Sequence, residues 1–123
     1  MGGFLMKKFV LTCAVALTLG VPAFAADTAY QAMVDGKWSQ AETLLRQGLA
    51  QNPNDTSRML NLAFVLQNSG KQAEAAAIYQ KVLQLDSNPL VAVDDPYVLS
   101  RPERAKQVAR KGMASIENSS TKR

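Results

Sequence analysis

Apolar residues recur at spacings of three and four along the middle of the chain, which is the period of one face of an α-helix. The pattern predicts helices over about residues 39–51, 55–68 and 72–85, separated by Asn52-Pro53 and by Asn68-Ser69-Gly70. The second of these segments is hydrophobic on most sides, so it is predicted to be the most buried element. No strand signal competes with the pattern, and the predicted fold class is all-α.

Two four-residue segments have the composition of a capping box, in which a serine side chain and a glutamate side chain bond reciprocally to the first turn of a helix. Ser39-Gln40-Ala41-Glu42 predicts the start of the first helix, and Ser100-Arg101-Pro102-Glu103 predicts a further helix over residues 100–117. The inward stripe of that last helix consists of Ala105, Val108, Ala109, Gly112, Met113 and Ile116. Residues 90–99 are predicted to be a linker, and the polar residues 118–123 a disordered tail.

The N-terminus has the layout of a cleaved secretory signal. Lys7 and Lys8 precede an apolar run from Phe9 to Val21, and the small-x-small triplet Ala23-Phe24-Ala25 follows it. The run is shorter than the roughly 20 residues needed to span a bilayer. We therefore expect residues 1–25 to be a signal peptide cut after Ala25, with a retained anchor as the alternative. The mature protein is expected to have no transmembrane span and to be periplasmic or secreted.

Composition narrows the chemistry of the mature chain. The single cysteine, Cys13, lies in the predicted leader, and the chain contains no histidine. Residues 26–123 therefore offer no disulfide, no thiol nucleophile and no thiolate metal site. No carboxylate pair stands in an apolar stripe, where burial would tune its pKa for acid–base catalysis. We predict no catalytic residue, no metal and no cofactor, and hence a protein that is not an enzyme.

Charge is distributed unevenly over the mature sequence. Residues 26–99 contain five Lys or Arg and eight Asp or Glu, whereas residues 100–123 contain seven Lys or Arg and two Glu. Arg101, Arg104, Arg110 and Lys111 are candidates for a basic face that docks on an acidic partner or an anionic envelope surface. The alternative is a solvated face on a helix that closes the end of the fold. Because this stretch has no interleaved aromatic residues, no nucleic-acid partner is expected.

A set of residues recurs along the chain with a displacement of 34, as from Gly36 to Gly70. The members of the set are Ala29, Gly36, Lys37, Ala41, Leu44 and Leu49, which correspond in kind to Ala63, Gly70, Lys71, Ala75, Ile78 and Leu83. A repeat of this length indicates helix-turn-helix units that stack side by side, since one such pair cannot bury its apolar face alone. Ala63 and Ala75 are predicted to let their two helices approach closely, with Gly70 in the turn between them.

The second unit, residues 56–89, resembles the tetratricopeptide repeat family. The residues that carry the resemblance are Leu62-Ala63, Gly70, Ala75, Tyr79 and Val82-Leu83. The resemblance implies a short α-solenoid of antiparallel helix hairpins over residues 26–117, with 26–55 a divergent, truncated repeat, 56–89 a full repeat and 100–117 a capping helix. Gly48 and Ser87 depart from the family pattern, which prefers alanine and proline at those positions.

In the tetratricopeptide repeat family the first helix of each repeat lines a concave groove. The resemblance implies a partner-binding groove at Tyr30, Met33, Val34, Ser57, Leu60, Asn61, Phe64, Gln67 and Asn68. Asn61 holds the position of an asparagine that grips a peptide carboxylate in some members, but the lysine and arginine of that clamp would fall on Val91 and Asp95. Phe64 either packs against a ligand or contacts the core, and Trp38 is predicted to anchor the hairpin turn.

The function that the resemblance implies is noncatalytic protein binding. The predicted role is that of a periplasmic adaptor, scaffold or assembly factor in a cell-envelope complex such as a pilus, secretion or polysaccharide system. The partner is expected to be another protein or a peptide. Because one full and one partial repeat are fewer than the three or so that usually give stability, we also expect the chain to self-associate or to be stabilised within a larger complex.

Overall fold

The structure, a computed structural model, describes residues 23–91 and 102–123. Its elements are α1 (Ala23–Val34), α2 (Trp38–Gln51), α3 (Thr56–Asn68), α4 (Gln72–Gln84), β1 (Leu90–Val91), β2 (Glu103–Arg104) and α5 (Ala105–Thr121). Each helix from α1 to α4 packs against the next, and α5 packs against α4 and α3. The prediction of a mostly helical fold made of adjacent packed hairpins is confirmed.

The two turns within the hairpins have the same geometry, 34 residues apart. Gly36 has a φ of 69° and Gly70 a φ of 83°, a left-handed conformation that glycine adopts without steric cost. Lys37 N donates to Ala32 O at 2.8 Å, and Lys71 N donates to Leu66 O, also at 2.8 Å. These bonds and the glycines form the Schellman motif that ends a helix. The predicted turn glycine is therefore confirmed in both copies of the repeat.

The starts of α2 and α3 differ in how they are capped. The prediction of a capping box at Ser39 is wrong, because α2 begins at Trp38 and its N-cap, Lys37, makes no side-chain cap bond. The Glu42 carboxylate instead accepts hydrogen bonds from Arg46 and from Lys71, the residue that precedes α4. The predicted helix start near Asp55 is confirmed, since its carboxylate accepts a hydrogen bond of 3.0 Å from Arg58 N. That bond satisfies one of the free N–H groups of the first turn.

The core runs along the contacts between successive helices, and α3 supplies the largest share of it. The buried residues of α3 are Thr56, Met59, Leu60, Asn61, Leu62, Ala63, Val65 and Leu66. Ala63 and Ala75 have no exposed surface, which agrees with their predicted role as small residues between α3 and α4. The prediction that this helix is the most buried element is confirmed, because it lies against α2, α4 and α5 at once.

A short antiparallel ribbon precedes α5, and the sequence did not predict it. Leu90 pairs with Arg104 and Val91 with Glu103, while Ala105 N donates to Pro89 O at 2.9 Å. Part of the predicted linker is therefore a strand, and residues 92–99 of it lie outside the described residues. The prediction that a capping box starts the last helix at residue 100 is also wrong, since α5 begins at Ala105. Glu103 and Arg104, which precede α5, are held in an extended conformation by this ribbon and are therefore not part of the helix.

The end of α5 also differs from the prediction. Residues 118–121 are helical, although residues 118–123 were predicted to be disordered. The hydroxyls of Ser119 and Ser120 donate to Ile116 O at 2.8 and 3.0 Å, and Thr121 Oγ1 donates to Glu117 O at 3.0 Å. These side chains occupy the carbonyls of the last turns, so a polar composition is compatible with helix here.

The predicted leader lies almost wholly outside the described residues. Residues 1–22 are not described, and the triplet Ala23-Phe24-Ala25 forms the first turn of α1. The predicted cleavage position after Ala25 thus falls at the beginning of this helix. Among the helices that the structure describes, none has the length and apolar character needed to cross a bilayer.

Candidate functional site

Two opposite stripes of α3 have different surroundings. Positions 57, 61, 64 and 68 fall on one side of a helix with 3.6 residues per turn, and positions 59, 62 and 66 fall on the other. On the first side Ser57 and Phe64 are partly exposed and Asn68 is exposed. Met59 and Leu62 on the second side are buried. The side of α3 that was predicted to face a partner therefore retains accessible residues at three of its four positions.

Large apolar side chains are also accessible on α1. Tyr30 and Val34, one turn apart on α1, are 42 % and 41 % exposed. Trp38 follows across the Gly36 turn, and its ring meets the ring of Phe64 edge to face, with the centroids 6.2 Å apart and the planes at 74°. Tyr30 and Phe64 are also equivalent positions of the 34-residue repeat. We call Tyr30, Val34, Trp38 and Phe64 the aromatic surface.

Three of the residues predicted to line the groove are buried. Met33 and Leu60 are each 1 % exposed and belong to the core cluster. Asn61 is 6 % exposed and already has an interaction partner. Their prediction as accessible groove residues is therefore corrected: the helices pack closely enough to enclose them. The family resemblance implied their positions in the groove, but it did not show how deeply the neighbouring helices cover them.

Gln67, another predicted groove residue, connects three helices. The Tyr79 hydroxyl of α4 donates to Gln67 Oε1 at 3.2 Å, and Gln67 Nε2 donates to Ser115 Oγ of α5 at 2.9 Å. Burial raises the pKa of Tyr79 to about 12, because the charged phenolate would lose its hydration. The side chain of Gln67 thus fixes α5 against the hairpin of α3 and α4. Asn68 remains exposed, with its amide bonded to Phe64 O at 2.8 Å.

The predicted basic face is divided by internal contacts. Arg104 donates to Asn88 O at 3.1 Å, and Lys111 Nζ binds both carboxylate oxygens of Glu103 at 2.8 Å. Arg110 is exposed and makes no ion pair with any residue that the structure describes. Arg101 lies outside the described residues. Of the four predicted positions, only Arg110 is shown as a free exposed cation, so the structure gives little support to docking by a continuous basic face.

A ladder of ion pairs joins α2 to α4, and the sequence analysis did not predict it. Glu42 accepts from Arg46 Nε at 2.9 Å and from Lys71 Nζ at 3.0 Å, and Arg46 Nη2 donates to Glu74 at 2.9 Å. Hydrogen bonds from Lys71 and Arg46 lower the pKa of Glu42, since they favour its charged form. Glu42 and Lys71 are 29 residues apart and Arg46 and Glu74 are 28 apart. Opposite charges at this nearly constant separation were the available signal for these contacts.

The described residues contain no cluster of metal-ligating side chains. Within residues 23–91 and 102–123, no three His, Cys, Asp or Glu residues form a group that could hold a metal ion. No buried side-chain nitrogen or oxygen of these ranges lacks a hydrogen-bond partner. Asp94-Asp95 lies outside the described residues. On α1 and on the accessible side of α3, the exposed or partly exposed groups include Tyr30, Val34, Phe64 and the amide of Asn68, which suit contact with another chain.

Comparison with known proteins gives one family. The family model described as tetratricopeptide repeat matches residues 32–93, which is half of the chain. This range begins within α1, contains α2, α3 and α4, and ends beyond β1. No curated protein and no solved structure was found to match the chain.

Proposed function

The chain belongs to the tetratricopeptide repeat family, whose repeats generally mediate protein–protein interaction, and on this premise we propose that it binds a partner protein or peptide through the aromatic surface. The family is typically a noncatalytic interaction module. Binding here needs no chemical step: the partner buries apolar side chains against Tyr30, Val34 and Phe64, and polar groups of its backbone meet Ser57 and Asn68.

The observation that carries the proposal is the exposure of large apolar side chains on α1, together with the half-buried ring pair of Trp38 and Phe64. Tyr30 and Val34 are each more than two-fifths exposed, although Ala29, Ala32 and Met33 of the same helix are in the core. Apolar patches rimmed by polar residues mark interaction sites in folded proteins. Tyrosine and tryptophan are also enriched among the residues that dominate binding energy at interfaces.

The setting that we propose for this binding is the bacterial cell envelope. The support comes from the sequence: a basic start, an apolar run too short for a membrane span and a small-x-small triplet before residue 26. On this proposal the mature chain, residues 26–123, is an adaptor, scaffold or assembly factor for an envelope complex such as a pilus, secretion or polysaccharide system.

The binding proposal is tested by capture from envelope extracts with mass spectrometry of the bound proteins. The test variant is Tyr30→Ser combined with Phe64→Ser, and the matched control is Leu90→Ser, which removes an apolar residue that is 60 % exposed on β1. Asn61 is left unchanged because its burial would confound binding with stability. We expect the double variant to lose a partner that the wild type and the control both capture, with unchanged helicity by circular dichroism. Equal capture by all three proteins would refute the aromatic surface as the site.

The proposed location has a separate test. The intact mass of the protein released from the periplasm by osmotic shock should correspond to residues 26–123. A protein recovered only from the cytoplasm, or one that keeps residues 1–25 in the membrane fraction, would contradict cleavage after Ala25. The result bears on localisation alone and leaves the binding proposal to its own experiment.

A further inference from the structure

The seam between α2 and α4 is closed over one half of its length and open over the other. The ion-pair ladder of Glu42, Arg46, Lys71 and Glu74 bridges the first half. Beyond it the two helices border a groove of about 370 Å³, whose apolar lining includes Leu49 and Ile78 at the sides and Met59 and Leu62 of α3 below. Arg46 and Lys81 are the charged residues that line this groove.

The ion pairs between α2 and α4 join residues at a nearly constant separation in sequence, and the next cation along α4 has no partner on α2. Glu42 pairs with Lys71 across 29 residues and Arg46 with Glu74 across 28, so the two helices run in the same direction along the seam. A step of 28 further on places Ile78 beside Ala50 (78 − 50 = 28) and Lys81 beside Pro53 (81 − 53 = 28). Because α2 ends at Gln51, it offers no carboxylate at the level of Lys81.

Lys81 is therefore a cation at the edge of an apolar groove with no anion of its own. It is exposed, and it makes no ion pair with any described residue. Arg46, by contrast, is bonded to both Glu42 and Glu74, which raise its pKa and hold its charge. The free positive charge of the groove is thus located at the Lys81 end.

We propose that this groove is a second binding site, which takes an acidic segment of a partner protein. A large aliphatic or aromatic side chain of the segment fills the space over Met59 and Leu62, and a neighbouring aspartate or glutamate pairs with Lys81. The partner then supplies the carboxylate that α2 lacks, and the ladder continues across the interface. An acidic occupant is proposed because its carboxylate would complement the unpaired positive charge of Lys81.

The shape of the groove favours a side chain of a protein segment over a free small molecule. Its volume is near the lower end of the range for small-molecule sites, about 300–1,000 Å³, and it is open to solvent along the seam between α2 and α4. Apolar side chains of the segment can enter it while its backbone stays outside. Of the two charged residues that line the groove, Lys81 is the one without an ion-pair partner among the described residues, which suits one carboxylate of the segment.

This site is separate from the aromatic surface. Met59 and Leu62 stand on the stripe of α3 opposite to Phe64, so a segment in the groove leaves Tyr30 and Phe64 free. The inference therefore goes beyond the proposed function and does not depend on it. Loss of binding at one surface and retention at the other distinguishes the two proposals.

The test begins with selection of displayed random peptides on the purified full chain. The selected peptides are then synthesised with a fluorescent label, and their affinities are measured by fluorescence polarisation for the wild type, Lys81→Glu, Arg110→Glu and the Tyr30→Ser/Phe64→Ser variant. Arg110→Glu is the matched control, because it reverses another exposed cation, on α5, that has no ion pair among the described residues. Circular dichroism of every variant verifies that its helicity is unchanged.

We expect one class of selected peptides to carry Asp or Glu next to Leu, Ile, Met or Phe. Their affinity should fall at least about tenfold in Lys81→Glu, where two like charges would be brought together, and remain within about twofold of wild type in the other two variants. A second selection on Lys81→Glu should yield Lys or Arg at the same place in the peptide. This exchange of charge preference is a result that general destabilisation would not produce.

Other outcomes overturn the proposal. Acidic peptides that bind Lys81→Glu as tightly as wild type, or that lose affinity in Arg110→Glu, would place the acidic site elsewhere, in the second case on α5. Peptides that all require Tyr30 and Phe64 would leave the aromatic surface as the binding site and remove the groove. A selection that yields no peptide with the stated dependence on Lys81 counts against the proposal equally.

Discussion

At the scale of single residues, small side chains decide how closely the helices approach. Ala63 and Ala75 are fully buried, in agreement with the prediction that these two small residues, twelve apart in sequence, let α3 and α4 approach closely. Gly112 has an equivalent role between α4 and α5, because a Cβ at this position would overlap the ring of Tyr79. Tyr79 is 4 % exposed and bonded to Gln67, so its ring has little room to move. The contact between Gly112 and Tyr79 therefore fixes the position of α5.

Gly112→Ala should destabilise the fold by roughly 1 to 3 kcal/mol, because the added methyl group overpacks a well-filled contact. The matched control is Gly48→Ala, where the Cβ would meet the flexible end of Arg58 at 2.8 Å. In that case the side chain can shift, and alanine is the better helix former by about 1 kcal/mol. Thermal unfolding should show a lower Tm for Gly112→Ala and an equal or higher Tm for Gly48→Ala. The reverse order would show that α5 does not pack on Tyr79 in this way.

Tyr79 also predicts a dependence of stability on pH. Its pKa is about 12 in the folded protein against 10.0 for an unperturbed tyrosine, so the unfolded state loses the proton first. The contribution to stability is full below about pH 10 and is lost as the pH rises from there through about 12. Tyr79→Phe should abolish this part of the decline. Urea unfolding of both proteins between pH 9 and 12 is the measurement, and parallel curves would contradict the burial of the phenol.

At the scale of elements, the prediction succeeds where a helix boundary depends on nearby residues. The bounds of α2, α3 and α4 agree with the periodic pattern to within one residue at each end, because glycine turns and Asn52-Pro53 stop them locally. The bounds of α5 depend instead on residues remote in sequence. Its start is set by Asn88 and Pro89, which accept from Lys106 N and Ala105 N. A local pattern around residue 100 contains no information about that pairing.

The same scale explains which part of the candidate site could be predicted. The resemblance to the tetratricopeptide repeat family placed Tyr30, Ser57, Phe64 and Asn68 in the groove, and these residues are at least partly exposed. It could not show that α5 packs on α3 and engages Gln67 through Ser115. The unpaired charge of Lys81 beside the groove could not be predicted either, since it arises from the relative position of α2 and α4.

The close contact of α3 with α4 gives a prediction for the hairpin. Ala75→Leu inserts three additional carbons where no surface is exposed, and it should cost roughly 1 to 3 kcal/mol. Ala77→Leu makes the same change at an exposed position of the same helix and should alter stability by no more than about 0.5 kcal/mol. Urea unfolding gives both values. Equal stabilities of the two variants would refute the register of the repeat.

At the scale of the whole molecule, α5 closes one end of the array. Ala105 and Ala109 are buried against the preceding hairpin, whereas Gln107, Arg110, Lys111 and Glu117 face solvent. A terminal helix with one apolar face and one polar face is what a stack of repeats needs to end in water. The described array is nevertheless short, since the hairpins α1–α2 and α3–α4 are followed by this single helix.

The short array leads to the prediction that the mature chain self-associates or is stabilised in a larger complex. Fewer repeats than about three usually give a marginal fold, so association would add buried surface. Light scattering of the purified mature protein at micromolar concentration should show a species larger than a monomer, or a monomer whose Tm rises on addition of its partner. A monomer that melts at high temperature by itself would contradict the prediction.

The central claim is that the aromatic surface contacts a partner protein, and site-specific cross-linking tests it most directly. A photoreactive benzoylphenylalanine is incorporated at Tyr30 in one version of the protein and at Leu90 in another, because both side chains are large, apolar and exposed. After irradiation of intact cells, the account predicts a discrete cross-linked protein from the position of Tyr30 that is absent from the position of Leu90. No product at the position of Tyr30, or the same products from both positions, would contradict it.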